Sequence, residues 1–424
     1  MRIPFPYRLG ACLSLLLVVA AARANPSVDG PSVSLNEAIA RTLERHPALV
    51  AFGYQIEAQQ GRVLQSGLRP NPEFGVEVEN ALGTGAFESI DRVETTLSLA
   101  WVLERGKRAR RVDAARAGMS LLESDAEIRR LDAAAETARR FLDSLARQER
   151  LVLSDEAIRL AEQTVTSVAA RVAAGRTPEA DLARAEAALA RARLGREDLE
   201  HELLVALRRL AAQWGETRPD FTSVTGDVHA LPVPDSFANL SARIDANPDI
   251  ARFLTEKRLR ETELELAEAE ARPNWRVDAG VRRLELSDDH AFVAGITIPL
   301  ATRNRNQGRI AEARARLAMT DADGVAARLE IETRLFALHQ ELQHSLHRAA
   351  TLRDDVLPRV ERALADTERA YTAGRYDYSE LRVVQADVLS ARTELVESSI
   401  DAHRNLIEIE RLTGTTLSAA AAQR

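Results

Sequence analysis

The chain of 424 residues has one cysteine, few aromatic residues and no long apolar stretch beyond its N-terminus. Because Cys12 is alone, no intramolecular disulfide is available, and packing must hold the fold together. An aromatic content of 4% beside 29% charged residues disfavours a compact globule and favours long helices. Without an apolar run of about 18 residues, the mature chain is predicted to have no helical membrane anchor.

Signals for several kinds of chemistry are missing as well. A net charge of −7 gives no electrostatic reason to expect nucleic acid as a partner. There is no nucleophile elbow, phosphate-binding glycine loop or HExxH motif, so neither catalysis nor a cofactor is predicted. His339, His344 and His347 cluster in one predicted helix, but too few further ligands accompany them to predict a metal site.

The N-terminus has the pattern of an export signal. Arg2 and Arg8 precede an apolar run over 13–22, and Ala-Arg-Ala at 22–24 offers a cleavage site. We therefore predict a signal peptide over 1–24 and a linker over 25–33. Two alternatives are a membrane anchor, which the short apolar run disfavours, and lipidation of Cys12, which precedes that run instead of following it.

The rest of the chain contains an internal duplication. Gly175 and Gly374, each followed by arginine, lie 199 positions apart, and Gly215 and Gly414 keep that spacing. Arg-Pro-Asn-Pro at 69–72 returns as Arg-Pro-Asn-Trp at 272–275. A unit of this length is too long for a solenoid repeat. It predicts one architectural unit over 34–230, its copy over 231–417 and a disordered tail over 418–424.

Each copy contains two segments in which apolar and polar residues alternate. These segments span about 73–79, 92–102, 275–283 and 291–300. Period-two alternation predicts strands with one apolar and one polar face, and their length approaches the ~9–11 residues of a tilted membrane-spanning strand. A β-hairpin subdomain packed on helices is the alternative. The duplication of both hairpins and the export signal favour the membrane.

Four strands are too few to close a barrel. An open sheet edge in lipid would leave backbone groups unpaired at several kcal/mol each. Other copies of the chain must therefore complete the wall, with eight strands from two copies or twelve from three. Strand spacing does not choose between them.

Long helices follow each strand pair. Residues 104–173 contain no proline, and 305–373 contain only Pro358, where a kink is expected. At ~1.5 Å per residue each helix would reach roughly 100 Å. Tight turns at 173–178 and 372–377 then reverse the chain into a return helix. This length suits a conduit across a periplasm.

In order and spacing these motifs resemble the TolC family of outer-membrane factors, in its heavy-metal-efflux, CzcC-like branch. The resemblance implies a mixed α and transmembrane β fold, in which a homotrimer forms a 12-stranded outer-membrane β-barrel and a periplasmic α-barrel. It also implies a Gram-negative outer-membrane location, with a periplasmic adaptor and a resistance-nodulation-division (RND) inner-membrane pump as partners. The predicted function is an efflux duct. Alternatives are a periplasmic adaptor or structural coiled coil, and a duct for organic compounds; the sequence does not reveal the cargo.

By the same resemblance the two hairpin tips dock the adaptor. The residues concerned are Gly175, Arg176, Gly374 and Arg375. Glycine that serves only to turn the chain is the alternative. The arginine after each glycine favours docking, because it exposes a charge where a partner would make contact.

An acidic stripe follows the second tip. On a helical wheel Asp377, Glu380 and Asp387, with Glu394, fall within about 100° of one another. In a trimer each acid would form a ring of three like charges that favours cations. The resemblance places Glu380 at the periplasmic aperture. The family's second acid has no counterpart in Arg-Val-Val-Gln at 382–385, and a solvated helix face is the alternative.

Overall fold

The computed structural model describes residues 30–414. The predicted signal peptide, most of the predicted linker, residues 415–417 and the predicted tail lie outside this range. Among the helices described, none combines the length and the apolar character needed to cross a bilayer.

The elements follow the same order in both halves of the chain. The strands are β1 (Ser32–Ser34), β2 (Glu73–Glu79), β3 (Glu94–Leu103), β4 (Ser223–Thr225), β5 (Trp275–Leu284) and β6 (Asp289–Thr297). The helices are α1 (Leu35–Arg45), α2 (Pro47–Ser66), α3 (Lys107–Ala173), α4 (Glu179–Ala211), α5 (Phe237–Ala242), α6 (Pro248–Glu270), α7 (Gln307–Thr351), α8 (Leu357–Thr372) and α9 (Tyr378–Thr413).

Local chemistry explains where the first helices begin. Ser34 caps α1 by accepting a hydrogen bond from the Glu37 N–H at 3.3 Å. His46 ends α1, and its ring accepts from the backbone of α2, which has Pro47 at its first position. Proline fits there because the first N–H groups of a helix have no intrahelical partner.

Four strands form one antiparallel sheet in the order β2-β3-β5-β6. The observed β6 starts two residues before the predicted segment and ends three residues before its end. Asp289 already pairs with Leu284 across the turn, and Pro299 has no N–H to continue the ladder. Within the described range, β2 and β6 are each paired on one side only.

The two faces of this sheet differ sharply. One face exposes a band of apolar side chains, which includes Phe74, Val76, Val78, Leu97, Leu99, Trp101, Val281, Phe292 and Ile296. On the other face Arg282 bridges Glu79 and Glu94 at 2.8 Å each. The register also places Gly280 on this polar face, and glycine fits there because a Cβ would overlap the backbone of β3.

The helices form a layer in which α3 runs from end to end. Near the sheet α3 contacts α2 and α6, and α6 contacts α7. Towards the tips α3 contacts α4 and α9, and α9 contacts α7 and α8. The layer therefore has α2 and α4 on one side and α7 with α8 on the other.

Pro358 is accommodated without a helix break. A π-helical turn, Leu352–Val356, joins α7 to α8 and places the proline at the start of α8. The wider turn makes room for the proline ring and for the carbonyl that receives no hydrogen bond from it.

Three apolar clusters hold the layer together. The largest gathers β1, β4 and the helices around Phe141 and Trp214. A second surrounds Leu335 and Leu342 in the second half. The third, around Val168 and Tyr371, joins the two hairpins at their tips.

Candidate docking tips and aperture

Both long hairpins turn through the same hydrogen-bonded motif. In the first, the Gly175 N–H donates to Val172 O at 2.9 Å and the Arg176 N–H to Arg171 O at 2.9 Å. In the second, Gly374 donates to Tyr371 O at 3.0 Å and Arg375 to Ala370 O at 2.9 Å. These two bonds define a Schellman cap, which satisfies the last carbonyls of each helix.

The glycines have a backbone reason to be there. Gly175 has φ +66° and Gly374 has φ +76°, a left-handed conformation that side chains disfavour. No atom lies within 4 Å of where a Cβ would stand at either position. The turn therefore favours glycine at both tips, while the space around them is open.

The arginines that follow are free for a partner. Arg176 and Arg375 are exposed, and neither side chain forms an ion pair or hydrogen bond within residues 30–414. The structure therefore places all four predicted tip residues at the two turns, with both charges in solvent.

Sequence reasoning missed the contact that joins the two tips. The Arg171 guanidinium lies over the Tyr371 ring, donates to Tyr371 O and also bonds Thr177 Oγ1 at 3.1 Å. Tyr371 is 2% exposed. One signal for this contact was present in the sequence. The two halves differ at this position, since Ala370 stands in the second copy where Arg171 stands in the first.

Asp377 and Glu380 are brought together in a capping box at the start of α9. The Asp377 carboxylate accepts from the Ser379 and Glu380 N–H groups at 2.9 and 3.1 Å, and Glu380 accepts from the Asp377 N–H at 3.0 Å. Hydrogen bonds from the Ser379 hydroxyl and the Glu380 backbone lower the pKa of Asp377. Both acids therefore have a structural role beside the predicted one.

The remaining acids of the stripe differ from each other. Asp387 is exposed and forms no ion pair within the described residues, whereas Glu394 pairs with Arg348 at 3.0 Å. Leu381 and Val388 of the same helix are buried, so the acids border an apolar seam. Gln385, in the stretch that lacks the family's second acid, donates to Thr164 Oγ1 of α3 at 3.0 Å.

The three histidines of α7 do not form one site. His339 is buried with Nε2 3.2 Å from Asp235 O, while His344 and His347 are exposed. Over residues 30–414 no group of three His, Cys, Asp or Glu side chains has the geometry of a metal site.

Known proteins share this architecture. Residues 38–216 match the protein family described as "Outer membrane efflux protein". Cobalt-zinc-cadmium resistance protein CzcC of Cupriavidus metallidurans is 25% identical over 366 residues, which cover 86% of each chain. Nickel-cobalt-cadmium resistance protein NccC of Alcaligenes xylosoxydans xylosoxydans is 24% identical and covers 77% of this chain and 75% of its own.

Solved structures agree with the fold. CusC superposes with a TM-score of 0.74 at 15% identity, over 90% of this chain and 92% of its own. VceC from Vibrio cholerae gives 0.72 at 17% identity, over 91% and 97%. The four-stranded sheet, the long hairpins and these likenesses define a TolC-like fold.

Residues 38–216, which include the first of the two duplicated hairpins, are therefore similar to the outer membrane efflux protein family, and the chain is similar to CzcC over most of its length.

Proposed function

We propose that this chain is the outer-membrane duct of a tripartite efflux system that exports heavy-metal cations. The observation that carries the proposal is the sheet β2-β3-β5-β6, with an exposed apolar face, an ion-paired opposite face and two edges open to other copies. In a bilayer the apolar face meets lipid and the polar face lines a pore.

Closure by three copies is supported by the sides of the helical layer. On one side α2 exposes Tyr54 (66%) and Leu64 (71%), and on the other α7 exposes Val325 (72%) and Leu329 (68%). Such apolar stripes mark interaction surfaces, and stripes on opposite sides suit a head-to-tail ring. Three copies complete a 12-stranded barrel above a 12-helix periplasmic tunnel.

The proposed partners are a periplasmic adaptor and an RND pump. The exposed glycine-arginine tips lie at the end of the layer farthest from the sheet, where an adaptor would reach them. Gly175, Arg176, Gly374 and Arg375 form this docking surface, and Asp377, Glu380 and Asp387 border the entrance. The proposed pump supplies the energy, since the sequence has no phosphate-binding glycine loop.

Heavy-metal cargo is supported by the relatives, whose names describe resistance to cobalt, zinc, cadmium and nickel. A deletion strain tests it. We expect greater sensitivity to zinc, cobalt and cadmium, restored by the wild-type gene. Sensitivity to organic toxicants alone would instead assign the duct to organic cargo.

The ring is tested separately with purified protein. Leu329→Glu places a charge in the α7 stripe and should shift the detergent-solubilised trimer towards monomer. Ala337→Glu is the matched control, since its exposed side chain lies roughly 80° round the same helix. A wild-type chain that stays monomeric in detergent and forms no conducting channels in bilayers would refute the duct.

A further inference from the structure

The four segments that connect the sheet to the helices all lie at the same end of the strands. Leu103 at the end of β3 pairs with Trp275 at the start of β5, and Thr297 at the end of β6 pairs with Arg276. Glu73 at the start of β2 pairs with Ala100, three residues before β3 ends. The segments before β2 and β5 and those after β3 and β6 therefore neighbour one another.

Every one of these segments carries arginine. Seven basic residues there form no ion pair with any acid in the described part of the chain. We call them the basic collar: Arg69, Arg105, Lys107, Arg108, Arg272, Arg303 and Arg305. All are exposed except Lys107, which is half-buried.

Acids at the same end of the strands form their ion pairs with other arginines, although the Glu104 carboxylate also attracts Lys107 and Arg108 of the collar electrostatically. Glu73 pairs with Arg276 at 2.7 Å, and Glu104 holds Arg111 through two bonds of 2.5 and 2.9 Å. Glu270 pairs with Arg309 at 3.2 Å. The chain as a whole has a net charge of −7, so this concentration of unpaired positive charge opposes the general trend.

The collar adjoins the apolar face of the sheet. Trp101 and Leu103 expose 43% and 47% of their surface on that face, at its last two positions before the collar. The Arg105 guanidinium lies 4.8 Å from the centre of the Trp275 ring, which belongs to the same face. Positive charge therefore follows directly where the exposed apolar band ends.

At the opposite end of the strands, acidic residues outnumber basic ones. Its connections, residues 80–93 and 285–288, contain Glu88, Asp91, Glu285 and Asp288 but only Arg92 as a basic residue. A general excess of arginine therefore does not explain the collar.

We propose that the basic collar binds the phosphate groups of anionic phospholipids in the leaflet that borders the helical end of the sheet. The apolar band sets the depth of the sheet in the hydrocarbon, and the collar then lies among headgroups, where lysine and arginine attract anionic lipid. The inference rests on the proposed membrane-spanning function. It assigns the collar a lipid-binding role that fixes the height of the duct.

Native mass spectrometry of the detergent-solubilised oligomer tests the proposal, with phosphatidylglycerol or phosphatidylcholine added at equal concentration. We expect preferential retention of phosphatidylglycerol. The variant R105Q/R108Q/R303Q/R305Q should lose that preference by roughly tenfold or more, since each basic group at a membrane surface contributes. The variant R105K/R108K/R303K/R305K should keep it, because lysine also binds phosphate as a point charge.

A matched control removes four other charges. R130Q/R191Q/R208Q/R209Q changes exposed arginines of α3 and α4 that also lack ion pairs in the described structure, and it should retain the preference. Equal retention of both lipids by wild type, or an equal loss in this control, would overturn the collar. Displacement of phosphatidylglycerol by millimolar inorganic phosphate would show a free-anion site and equally overturn it.

Channel recordings in pure phosphatidylcholine separate the two proposals. A conducting wild-type oligomer without lipid preference refutes the collar and leaves the duct intact. Failure to form an oligomer or to conduct refutes the duct, and the collar with it.

Discussion

The guanidinium carbon of Arg171 lies 4.4 Å from the centre of the Tyr371 ring, and this contact fastens the first hairpin tip to the second within one protomer. The duplication does not reproduce it, because Ala370 stands in the place of Arg171 and Val172 in that of Tyr371. In a ring of three copies, the six junctions between neighbouring tips are therefore of two kinds, and Arg171 fastens only those inside a protomer.

Replacing Arg171 should loosen the tips. Arg171→Gln removes the ring contact and weakens the bond to Tyr371 O, a loss of about 1 kcal/mol. We expect faster amide hydrogen exchange over 370–378 in the purified oligomer. Arg176→Gln, which removes an exposed arginine without side-chain partners, should leave that exchange unchanged. Equal exchange in both variants would show that the contact does not fasten the tips.

Two substitutions of Gly374 distinguish its role in the turn from a role in adaptor docking. Gly374→Ala should destabilise the hairpin by about 1 kcal/mol, because a Cβ disfavours the left-handed conformation. Gly374→Asn strains the backbone less and projects a side chain into open space. We expect Gly374→Asn to retain the thermal stability of the oligomer yet weaken adaptor binding about tenfold, or 1.4 kcal/mol. Unchanged affinity would leave glycine as a turn residue only.

Charge at the aperture is tested at Glu380. Glu380→Gln keeps a side chain that can complete the capping box, so it should weaken cation preference in planar bilayers without destabilising α9. Glu380→Ala should do the same and also cost about 1 kcal/mol through the lost cap. Asp387→Asn removes an exposed acid that caps nothing and serves as the second probe. Currents unchanged by Glu380→Gln would remove Glu380 from the aperture.

Acid should destabilise the fold through His403. Burial lowers the pKa of the His403 imidazole below its ordinary value of 6.5, and Nε2 lies 3.1 Å from Val228 O. The folded state keeps this ring neutral while the unfolded chain takes up a proton. Stability is therefore complete above pH 6.5 and falls as the pH drops towards the folded pKa, by at most about 1.4 kcal/mol per pH unit.

Melting temperatures at pH 7.5 and 5.5 measure the effect, and His403→Gln should reduce the difference. His201→Gln, which alters an exposed histidine of α4, should preserve it. Burial raises the pKa of nearby Glu149, which acts in the opposite sense, since its contribution is lost as the pH rises. An unaltered pH dependence in His403→Gln would place the acid sensitivity elsewhere.

Periodicity predicted the large elements because their physics is local. Alternation at 73–79 coincides with β2, since every second side chain of a strand meets the same medium. The glycines at 175 and 374 end their helices because only a left-handed residue completes the Schellman cap. These signals lie within a few residues of one another along the chain.

Features that depend on distant partners escaped prediction. The three-residue strands β1 and β4 pair in parallel across nearly 200 residues and are too short to show a period. A wheel placed Glu380 on a stripe but could not show its carboxylate turned back to the Asp377 N–H. Arg171 looked like an ordinary helix residue until the fold brought Tyr371 beneath it.

The two return helices begin with equivalent residues of unlike chemistry. Pro178 precedes α4 without a side-chain cap, whereas Asp377 gives α9 a complete capping box. A side-chain cap is worth about 1 kcal/mol, so the first turn of α4 unwinds at lower cost than that of α9. Mechanical compliance at the two hairpin tips therefore resides in the first half of the chain, and the second half is the stiffer of the two.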